Sequence, residues 1–425
     1  MKEGEALSTS ENESSTPKTA VAEKEKPEGF DTFRVSILSL GHLVNDSYSN
    51  LVPPLLPLLK AAYGLSYAAS GMLTTAYTIT SSIVQPVFGY YADKHGRRWL
   101  VALSTAWVAF FMSLIGLVSY MGLDRSGSYL LLLTLIALAG FGSASYHPQA
   151  STMVPRISGD HKGFGVSLFS AGGNMGYAIM PLLVVPATAL WGLKGTLVFI
   201  IPGFLMSLLL YKYAPEAPQT GAHLRVEELI RDITSVIKPL MVVSGIVIMR
   251  AWVFFGLITF LPLYFAMRNE TSAMASAHMF VLLFFGAIGG LIGGAASDKF
   301  GRKFVIVTSL TITGPLLYLA LSTSGLAEWA LTAMAGAALL ASFSPAVLIA
   351  QDLIPNNQGM ASGIILGLAI GIGGLGVSLT GAFADGFGLT TAVYSLVLLP
   401  VAATLMALAL PGTIKPAFTT EGTEK

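Results

Sequence analysis

Polar and ionisable side chains cluster in the first apolar stretch of this chain, where His42, Asn45, Asp46 and Ser49 follow one another at helical spacing. Residues three and four positions apart share one face of a helix. A carboxylate buried in apolar surroundings can load and release a proton, so we interpret Asp46 as a proton-coupling group. His42 and Asn45 are candidate substrate-binding residues, although bonds to neighbouring helices explain them equally well.

A single arginine, Arg250, interrupts a later apolar stretch that reads IVIMRAWVFF. A guanidinium can hold an oxyanion through two parallel hydrogen bonds, which makes Arg250 a candidate for binding an anionic substrate. The alternative is a permanent ion pair between Arg250 and Asp46. We favour the substrate role, and the two roles could alternate.

Four further polar residues lie within apolar stretches: Gln85, His147, Gln149 and Asn174. Amides and a neutral imidazole orient a ligand without burying a charge, so all four are candidate substrate-binding residues. For Gln85 and Asn174, hydrogen bonds between helices are the simpler explanation. His278 is expected to be interfacial.

Enzyme chemistry finds little support in the sequence. The chain has no cysteine, its six histidines show no metal-ligand spacing, and it contains no phosphate-binding loop and no nucleophile elbow. We therefore predict no catalytic residue, no cofactor and no metal site. Without a nucleotide site, any uphill movement of a substrate must draw on an ion gradient.

The elements that position these residues are membrane helices. Hydrophobic residues make up 53% of the chain and charged residues only 11%, whereas soluble proteins average about 25% charged residues. The net charge of +1 gives no support for nucleic-acid binding. Twelve apolar segments predict an all-α polytopic membrane protein; they span roughly 35–60, 68–91, 99–120, 129–153, 163–187, 191–213, 239–267, 273–296, 303–323, 327–350, 359–383 and 389–411.

The chain is duplicated. The loop GYYADKHGRR, Gly89 to Arg98, returns as GAASDKFGRK, Gly294 to Lys303, each time after the second helix of a set of six. The predicted domains are a disordered tail (1–32), two six-helix bundles (33–213 and 239–412), a linker with an amphipathic surface helix (214–238) and a second tail (413–425). Three prolines, Pro53, Pro54 and Pro57, predict a break in the first helix.

Lysine and arginine concentrate in the loops on one side of the predicted membrane, among them the two repeated loops. By the positive-inside rule these loops, the linker and both termini are cytoplasmic. We predict an integral protein of the cell (inner) membrane, with the lipid bilayer as its surroundings.

The twin loops and the six-plus-six duplication resemble the major facilitator superfamily. The stretches GHLVNDSYSNLVPPLLPLL, GFGSASYHPQAS and AGGNMGYAIMPLL are similar to its fosmidomycin resistance branch, whose members are drug exporters thought to exchange substrate for protons. The resemblance implies two pseudo-symmetric bundles and carries over the polar residues above, with Gly173. One departure is Gln149, where the exporters carry a glutamate.

The resemblance also assigns the repeated loops to a cytoplasmic gate. Asp93 is expected to meet the start of the eleventh helix near Gly359, Arg97 and Arg98 to hold neighbouring acids or carbonyls, and Gly89 and Gly294 to permit close approach of helices. The gate residues are Gly89, Asp93, Arg97, Arg98, Gly294, Asp298, Arg302, Lys303 and Asp352.

Three functions are compatible with the sequence. The preferred one is a monomeric secondary transporter that exports small anionic or amphiphilic compounds, such as fosmidomycin-like drugs, in exchange for protons by alternating access. Gln149 motivates a second, an uptake carrier for an organic anion or other metabolite with little or no proton antiport. The N-terminal tail motivates a third, a scaffold or sensor that transports nothing.

Overall fold

A computed structural model describes residues 29–88, 98–216, 231, 233–355 and 358–410, and every regular element among these residues is a helix. The N-terminal tail up to residue 28, the loop residues Gly89, Asp93 and Arg97, most of the linker, and the C-terminal tail lie outside the described residues. The predictions made for them stay predictions.

The helices fall into two sets of six. The first set is α1 (Thr32–Ser49 and Val52–Tyr63), α2 (Tyr67–Ile83), α3 (Arg98–Leu114, continued by a 3₁₀ segment Ile115–Tyr120), α4 (Arg125–Ile157), α5 (Lys162–Trp191) and α6 (3₁₀ segment Gly192–Phe199, then Ile200–Tyr213). The second set is α7 (Ile237–Met267), α8 (Ser272–Phe300), α9 (Arg302–Ser322), α10 (Leu326–Ala341 and Phe343–Leu353), α11 (Gln358–Gly363, a π-helical turn Ile364–Ala369, then Ile370–Phe387) and α12 (Leu389–Ser395 and Leu398–Leu408). The predicted all-α fold of twelve helices is confirmed.

Nine helical runs among the described residues are long and apolar enough to cross a bilayer. This number agrees with twelve helices, because α1 is interrupted, α2 has only 17 residues, and α5 and α6 form one continuous run. Several helices start on a capping side chain, as in α1, where the Asp31 carboxylate accepts from the Arg34 amide at 2.9 Å, and α2, where the Ser66 hydroxyl accepts from the Ala69 amide at 3.0 Å.

The predicted break in the first helix is confirmed. The first piece of α1 ends at Ser49, and the second begins at Val52 with Pro53 and Pro54 in its first turn. Proline lacks the backbone donor of a helix interior but fits a helix start, so Pro53 and Pro54 begin a new piece rather than continue the old one, and Pro57 lies inside that piece.

Small residues let helix backbones approach closely. A Cβ added to Gly176 of α5 would lie 2.2 Å from the Leu43 carbonyl oxygen of α1. Between the halves, α2 packs along α11 and α5 packs along α8. Of three α11 glycines spaced by four, two lie against α2, because added Cβ atoms on Gly367 and Gly371 would meet Ser82, whereas one on Gly363 would meet nothing within 4 Å.

The two ends of the bundle differ in how the halves meet. We call the end where α2 leads to α3 and α8 leads to α9 the motif end, and the opposite end the far end. One apolar cluster, which includes Leu56, Leu73, Phe260 and Val377, spans both halves at the far end. At the motif end the N-terminal half has its own cluster around Tyr146, and the C-terminal half has another around Ile246, Ile349 and Ala403.

Candidate functional site

Asp46 lies on the motif-end piece of α1 and is buried between two histidines. Its Oδ2 is 3.1 Å from Nε2 of His42, and its Oδ1 is 3.4 Å from Nε2 of His147 on α4. The amide of Asn45 donates to Oδ1 at 3.1 Å and to the hydroxyl of Ser143 at 3.4 Å. The structure thus adds two residues of α4 to the three that share a face of α1: His147, which the sequence proposed separately, and Ser143, which it did not single out.

Helix α5 completes the surroundings of His42. The imidazole stacks on Phe169 with 4.1 Å between ring centroids, and its Nδ1 is 2.7 Å from the Phe169 carbonyl oxygen. Gly173 leaves room for the pair, since a Cβ there would lie 2.5 Å from His42 Nε2 and 2.9 Å from Asp46 Oδ2. Residues Phe169 and Gly173 therefore fix how His42 and Asp46 face each other.

His42, Asp46 and His147 are also the one group of histidine and acid side chains in the described ranges whose ligand atoms lie within 4.8 Å of one another. The sequence gave no sign of it because its members come from α1 and α4. Both nitrogen–oxygen contacts of Asp46 lie within ion-pair distance, and protons account for them without a metal. The group thus joins one carboxylate to two imidazoles, all side chains that can bind protons.

Arg250, on α7, does not pair with Asp46. Within the part of the chain that the structure describes, its guanidinium makes no ion pair, and its contact is with the Phe343 ring, at 4.7 Å from the centroid. The residue is 4% exposed, and its Nε is buried without a hydrogen-bond partner. The alternative of a permanent ion pair with Asp46 is therefore wrong for this conformation, and the arginine is left without an anion.

The remaining predicted polar residues lie apart from Asp46. Gln149 is 1% exposed, and neither atom of its amide has a hydrogen-bond partner among the described residues. It follows His147 by two positions, so the two side chains point about 200° apart around α4, and it shares a face with Tyr146 and Met153. No described hydrogen bond joins Gln149 to the cluster at Asp46.

Asn174 is half-buried on α5. Gln85 is also half-buried, and its Oε1 lies 3.6 Å from the position of a Cβ on Gly367 of α11. Gln85 therefore lies between the halves, which fits the simpler explanation of contact between helices.

A second polar group lies beside Asp46 and joins Ser49, the last residue of the polar stripe of α1, to a tyrosine of α2. The Ser49 hydroxyl lies 2.6 Å from the Tyr77 hydroxyl, and Tyr77 also interacts with Ser143. Beside this pair a cavity with room for about one water molecule is lined by residues of both halves, including Tyr177 and Phe255. Serine and tyrosine are common in membrane helices. Only the fold therefore distinguishes this pair from side chains that merely pack between helices.

His278 is buried rather than interfacial. It is 2% exposed and stacks on Trp329 at 3.7 Å, and its Nδ1 lies 3.1 Å from the Met274 carbonyl oxygen. Nearby, Glu328 pairs with Arg268 at 3.1 Å. Burial acts to lower the pKa of Arg268, but the carboxylates of Glu328 and Glu270 outweigh it and raise that pKa above its usual value.

The described gate residues hold helices together within each half. Arg302 pairs with Asp352 and donates to the Leu348 carbonyl at 2.8 Å, and Lys303 donates to the Leu408 carbonyl at 2.8 Å. In the first half, Arg98 Nε lies 3.1 Å from Glu216. These contacts agree with the expectation that the bases hold acids and carbonyls.

Two other gate residues of the second loop behave differently. Asp298 is exposed and acts on Arg302 only through its charge. The close approach expected at Gly294 is wrong, since an added Cβ would lie at an ordinary 3.7 Å from Ser344. The tight contact of α8 with α10 falls instead at Gly289 and Gly293, where the Cβ would lie 2.1 Å from a carbonyl oxygen.

Comparison with known proteins decides the family. The sequence profile of the Major Facilitator Superfamily matches residues 38–294 and 266–425, which together cover most of the chain. The chain belongs to the major facilitator superfamily. It is 32% identical over 362 residues to the fosmidomycin resistance protein of Escherichia coli (strain K12), with 82% of this chain and 85% of that protein covered.

Another relative places it in the same branch of transporters. The uncharacterized MFS-type transporter YfnC of Bacillus subtilis (strain 168) is 30% identical over 374 residues, covering 86% of this chain and 90% of its own. Together these matches place the chain in the fosmidomycin resistance branch of this superfamily, whose members are membrane transporters.

Solved structures share the fold at low identity. A bacterial homologue of the human lysosomal transporter Spinster, in an inward-facing and occupied conformation, superposes with a TM-score of 0.75 at 18% identity, covering 91% of this chain and 97% of that one. A D-xylose–proton symporter gives 0.69 at 16%, covering 89% and 97%. These likenesses support the twelve-helix architecture.

Proposed function

We propose that this protein is a proton-coupled antiporter that exports small anionic or amphiphilic compounds by alternating access across the cell (inner) membrane, with both termini in the cytoplasm. The observation that carries the proposal is the division of charge between the halves. The N-terminal half buries Asp46 against His42 and His147, and the C-terminal half buries Arg250 without an anion.

The Asp46 cluster supports proton coupling. Ionisable groups inside a bilayer are expensive and mark ion or substrate pathways in transporters. Asp46 is buried, while the side chain of His147 beside it is 30% exposed and gives the cluster contact with open space. A proton taken up there raises the charge of the N-terminal half by one unit, and its release restores the original charge.

Arg250 supports an anionic substrate. Its Nε is buried without a partner, whereas its two terminal nitrogens are neither partnered among the described residues nor enclosed. A buried guanidinium with no counter-charge is unfavourable, and a bound oxyanion would supply that charge through two hydrogen bonds. Contact with the Phe343 ring keeps the guanidinium in place until the anion arrives.

The conformation fits loading from the cytoplasm. The halves share an apolar cluster at the far end and have separate clusters at the motif end. With the basic loops cytoplasmic, this arrangement is a state closed to the outside. The relative named for fosmidomycin resistance makes phosphonate antibiotics the first compounds to test.

Transport by purified protein in liposomes tests the proposal. With an imposed proton gradient, we expect labelled fosmidomycin or a related phosphonate to move against its own gradient, and Asp46→Asn to abolish that movement while some binding remains. Arg250→Ala should weaken binding of anions more than binding of neutral ligands. Flux that ignores the proton gradient in the unmodified protein would reject the antiport.

An uptake carrier for an organic anion is the second candidate. It is favoured by Gln149, a neutral residue, since Asp46 is then the one carboxylate of the described cluster. Cells that express the protein would accumulate a labelled carboxylate and gain no drug resistance. Drug resistance without accumulation of the labelled carboxylate would instead support export.

A further inference from the structure

The hydrogen bond between His42 and the backbone of α5 fixes which nitrogen of the ring faces Asp46. The Phe169 carbonyl oxygen, 2.7 Å from Nδ1, can only accept, so Nδ1 carries a hydrogen. In a neutral imidazole the other nitrogen, Nε2, then has none. That nitrogen lies 3.1 Å from Asp46 Oδ2.

A neutral imidazole and a carboxylate cannot both be present in this arrangement, because two lone pairs would face each other at hydrogen-bond distance. One additional proton resolves the contact. It lies on Nε2, giving an imidazolium and a carboxylate, or on Oδ2, giving a neutral imidazole and a carboxylic acid. Both forms contain the same number of protons, so the pair is one site.

We infer that His42 and Asp46 hold the coupling proton jointly, with His42 as a proton-binding residue rather than a substrate contact. This inference rests on the proposed proton coupling and deepens it. Release of the shared proton leaves Nε2 and Oδ2 as facing acceptors, so the two side chains must separate or admit a donor. Proton release thereby loosens the packing of α1 against α5.

The groups around the pair are few. From α4, His147 contacts the other carboxylate oxygen and Tyr146 stacks near His42. The charge of Asp46 also acts on two further tyrosines, Tyr77 of α2 and Tyr177 of α5. The remaining contacts from α5 are the uncharged Phe169 and Gly173. None of the described contacts of the pair comes from a titratable group of α3 or α6. The Tyr146 hydroxyl is committed to the Leu38 carbonyl at 2.9 Å, which leaves His147 as the other titratable partner within ion-pair distance.

The test measures proton release and transport as functions of pH in His42→Gln. We expect the unmodified protein to release about one proton when it takes up substrate anion, and the variant to release clearly less, with the pH midpoint of transport displaced. The matched control is His278→Gln. His278 is equally buried with Nδ1 on a carbonyl, but its Nε2 is 3.9 Å from the nearest carboxylate, so proton release should be unchanged.

A second measurement is made on the unmodified protein and uses the variant only to assign resonances. In protein labelled with ¹⁵N-histidine, the resonances of His42, identified by their loss in His42→Gln, should show Nδ1 protonated at every pH and only the environment of Nε2 changing. Gly173→Ala alters no titratable group and should displace the pH midpoint too, since its Cβ would occupy the space beside Nε2.

The outcomes separate the two proposals. If transport by the unmodified protein ignores the proton gradient, the proposed antiport fails. If that transport is proton-driven but His42→Gln keeps its proton stoichiometry and pH profile, the joint site is wrong and Asp46 binds the proton alone. If Nδ1 gains or loses its hydrogen with pH, the tautomer argument is overturned.

Discussion

At the far end the two halves of this transporter are bonded to each other, whereas the described polar contacts of the motif-end gate stay within one half. Across the halves, Asp385 of α11 accepts from the Tyr67 and Ala68 amides of α2 at 2.7 and 2.9 Å. Arg302 and Asp352, in contrast, both belong to the C-terminal half. The proposed rocking of the two halves would therefore have to break contacts between the halves at the far end. The described polar contacts of the motif-end gate include no such contacts in this state.

The difference also separates two uses of charge near helix ends. Asp385, near the end of α11, contacts the first turn of α2. The first amides of that helix lack partners within the helix, and the positive end of the helix dipole favours a carboxylate there. Asp385 thus meets the start of a helix of the other half at the far end, as Asp93 was predicted to do at the motif end. A contact between halves closes a gate, whereas a contact within a half makes that half rigid.

The largest effect is expected from Gly381→Ala, which would push the halves apart at the far end. The added Cβ would lie 2.4 Å from the Tyr67 carbonyl oxygen of α2, and backbone atoms can yield only if the helices separate. Overpacking of this kind costs about 1–3 kcal/mol, which shifts the population towards the far-end-open state by roughly five- to 150-fold.

Cysteine labelling measures that shift directly, because the natural chain has no cysteine. A reporter at the buried Ala275, which lines the far-end cleft beside Pro54 and Pro57, should react with maleimide faster in the Gly381→Ala background. Gly363→Ala is the control, since it makes the same change in the same helix where nothing lies within 4 Å. Equal labelling in both would contradict the far-end contact.

A smaller effect is expected from Asp385→Ala. Loss of a helix cap costs about 1 kcal/mol, so we expect the Ala275→Cys reporter to label roughly five times faster. Asp385→Asn should fall between, because its amide oxygen still accepts from one backbone N–H. Unchanged labelling with alanine would show that the apolar cluster alone keeps the far end closed.

At the motif end, Arg302→Ala should lower thermal stability and leave far-end labelling unchanged. The pair with Asp352 is partly exposed, and such pairs contribute about 1 kcal/mol or less. A double-mutant cycle with Asp352→Ala isolates the pair from the bond to the Leu348 carbonyl. Faster labelling of the far-end reporter would mean that the motif-end contacts act across the halves after all.

The smallest effect is expected from Gly294→Ala, in the repeated loop itself. The space at 3.7 Å from Ser344 accepts a methyl group, so transport and melting temperature should change little. Gly293→Ala, one residue away, would place its Cβ 2.1 Å from the Ala341 carbonyl oxygen and should be strongly destabilising. Similar behaviour of the two variants would contradict the assignment of the tight contact to Gly293.

The sequence predicted the fold well because its strongest signals are local. Apolar length places each helix, and Pro53 and Pro54 place the break in α1, without any knowledge of what packs against them. The spacing of His42 and Asp46 likewise shows that they share a face. These features depend on one helix at a time.

What the sequence could not predict depends on two or more helices. His147 meets Asp46 because α4 crosses α1 at that level, while Gln149 turns away on the same helix. The cap of α2 by Asp385 joins residues 318 positions apart, and no pattern in either segment indicates the other. The sequence left two roles for Arg250, substrate binding and an ion pair with Asp46. The ion pair could be rejected for this conformation only once the positions of both halves were known.

The break in α1 has a consequence for how this chain enters a bilayer. A helix that stops and restarts within a membrane leaves carbonyl acceptors at its end and amide donors at the new start, and each group left without a partner costs several kcal/mol. Here the Asn50 and Leu51 amides donate to the Ser47 and Tyr48 carbonyls. Val52 comes next, and the two residues after it, Pro53 and Pro54, are prolines without an amide hydrogen. The interruption leaves few donors to satisfy, so the segment can insert as one span while it is already bent.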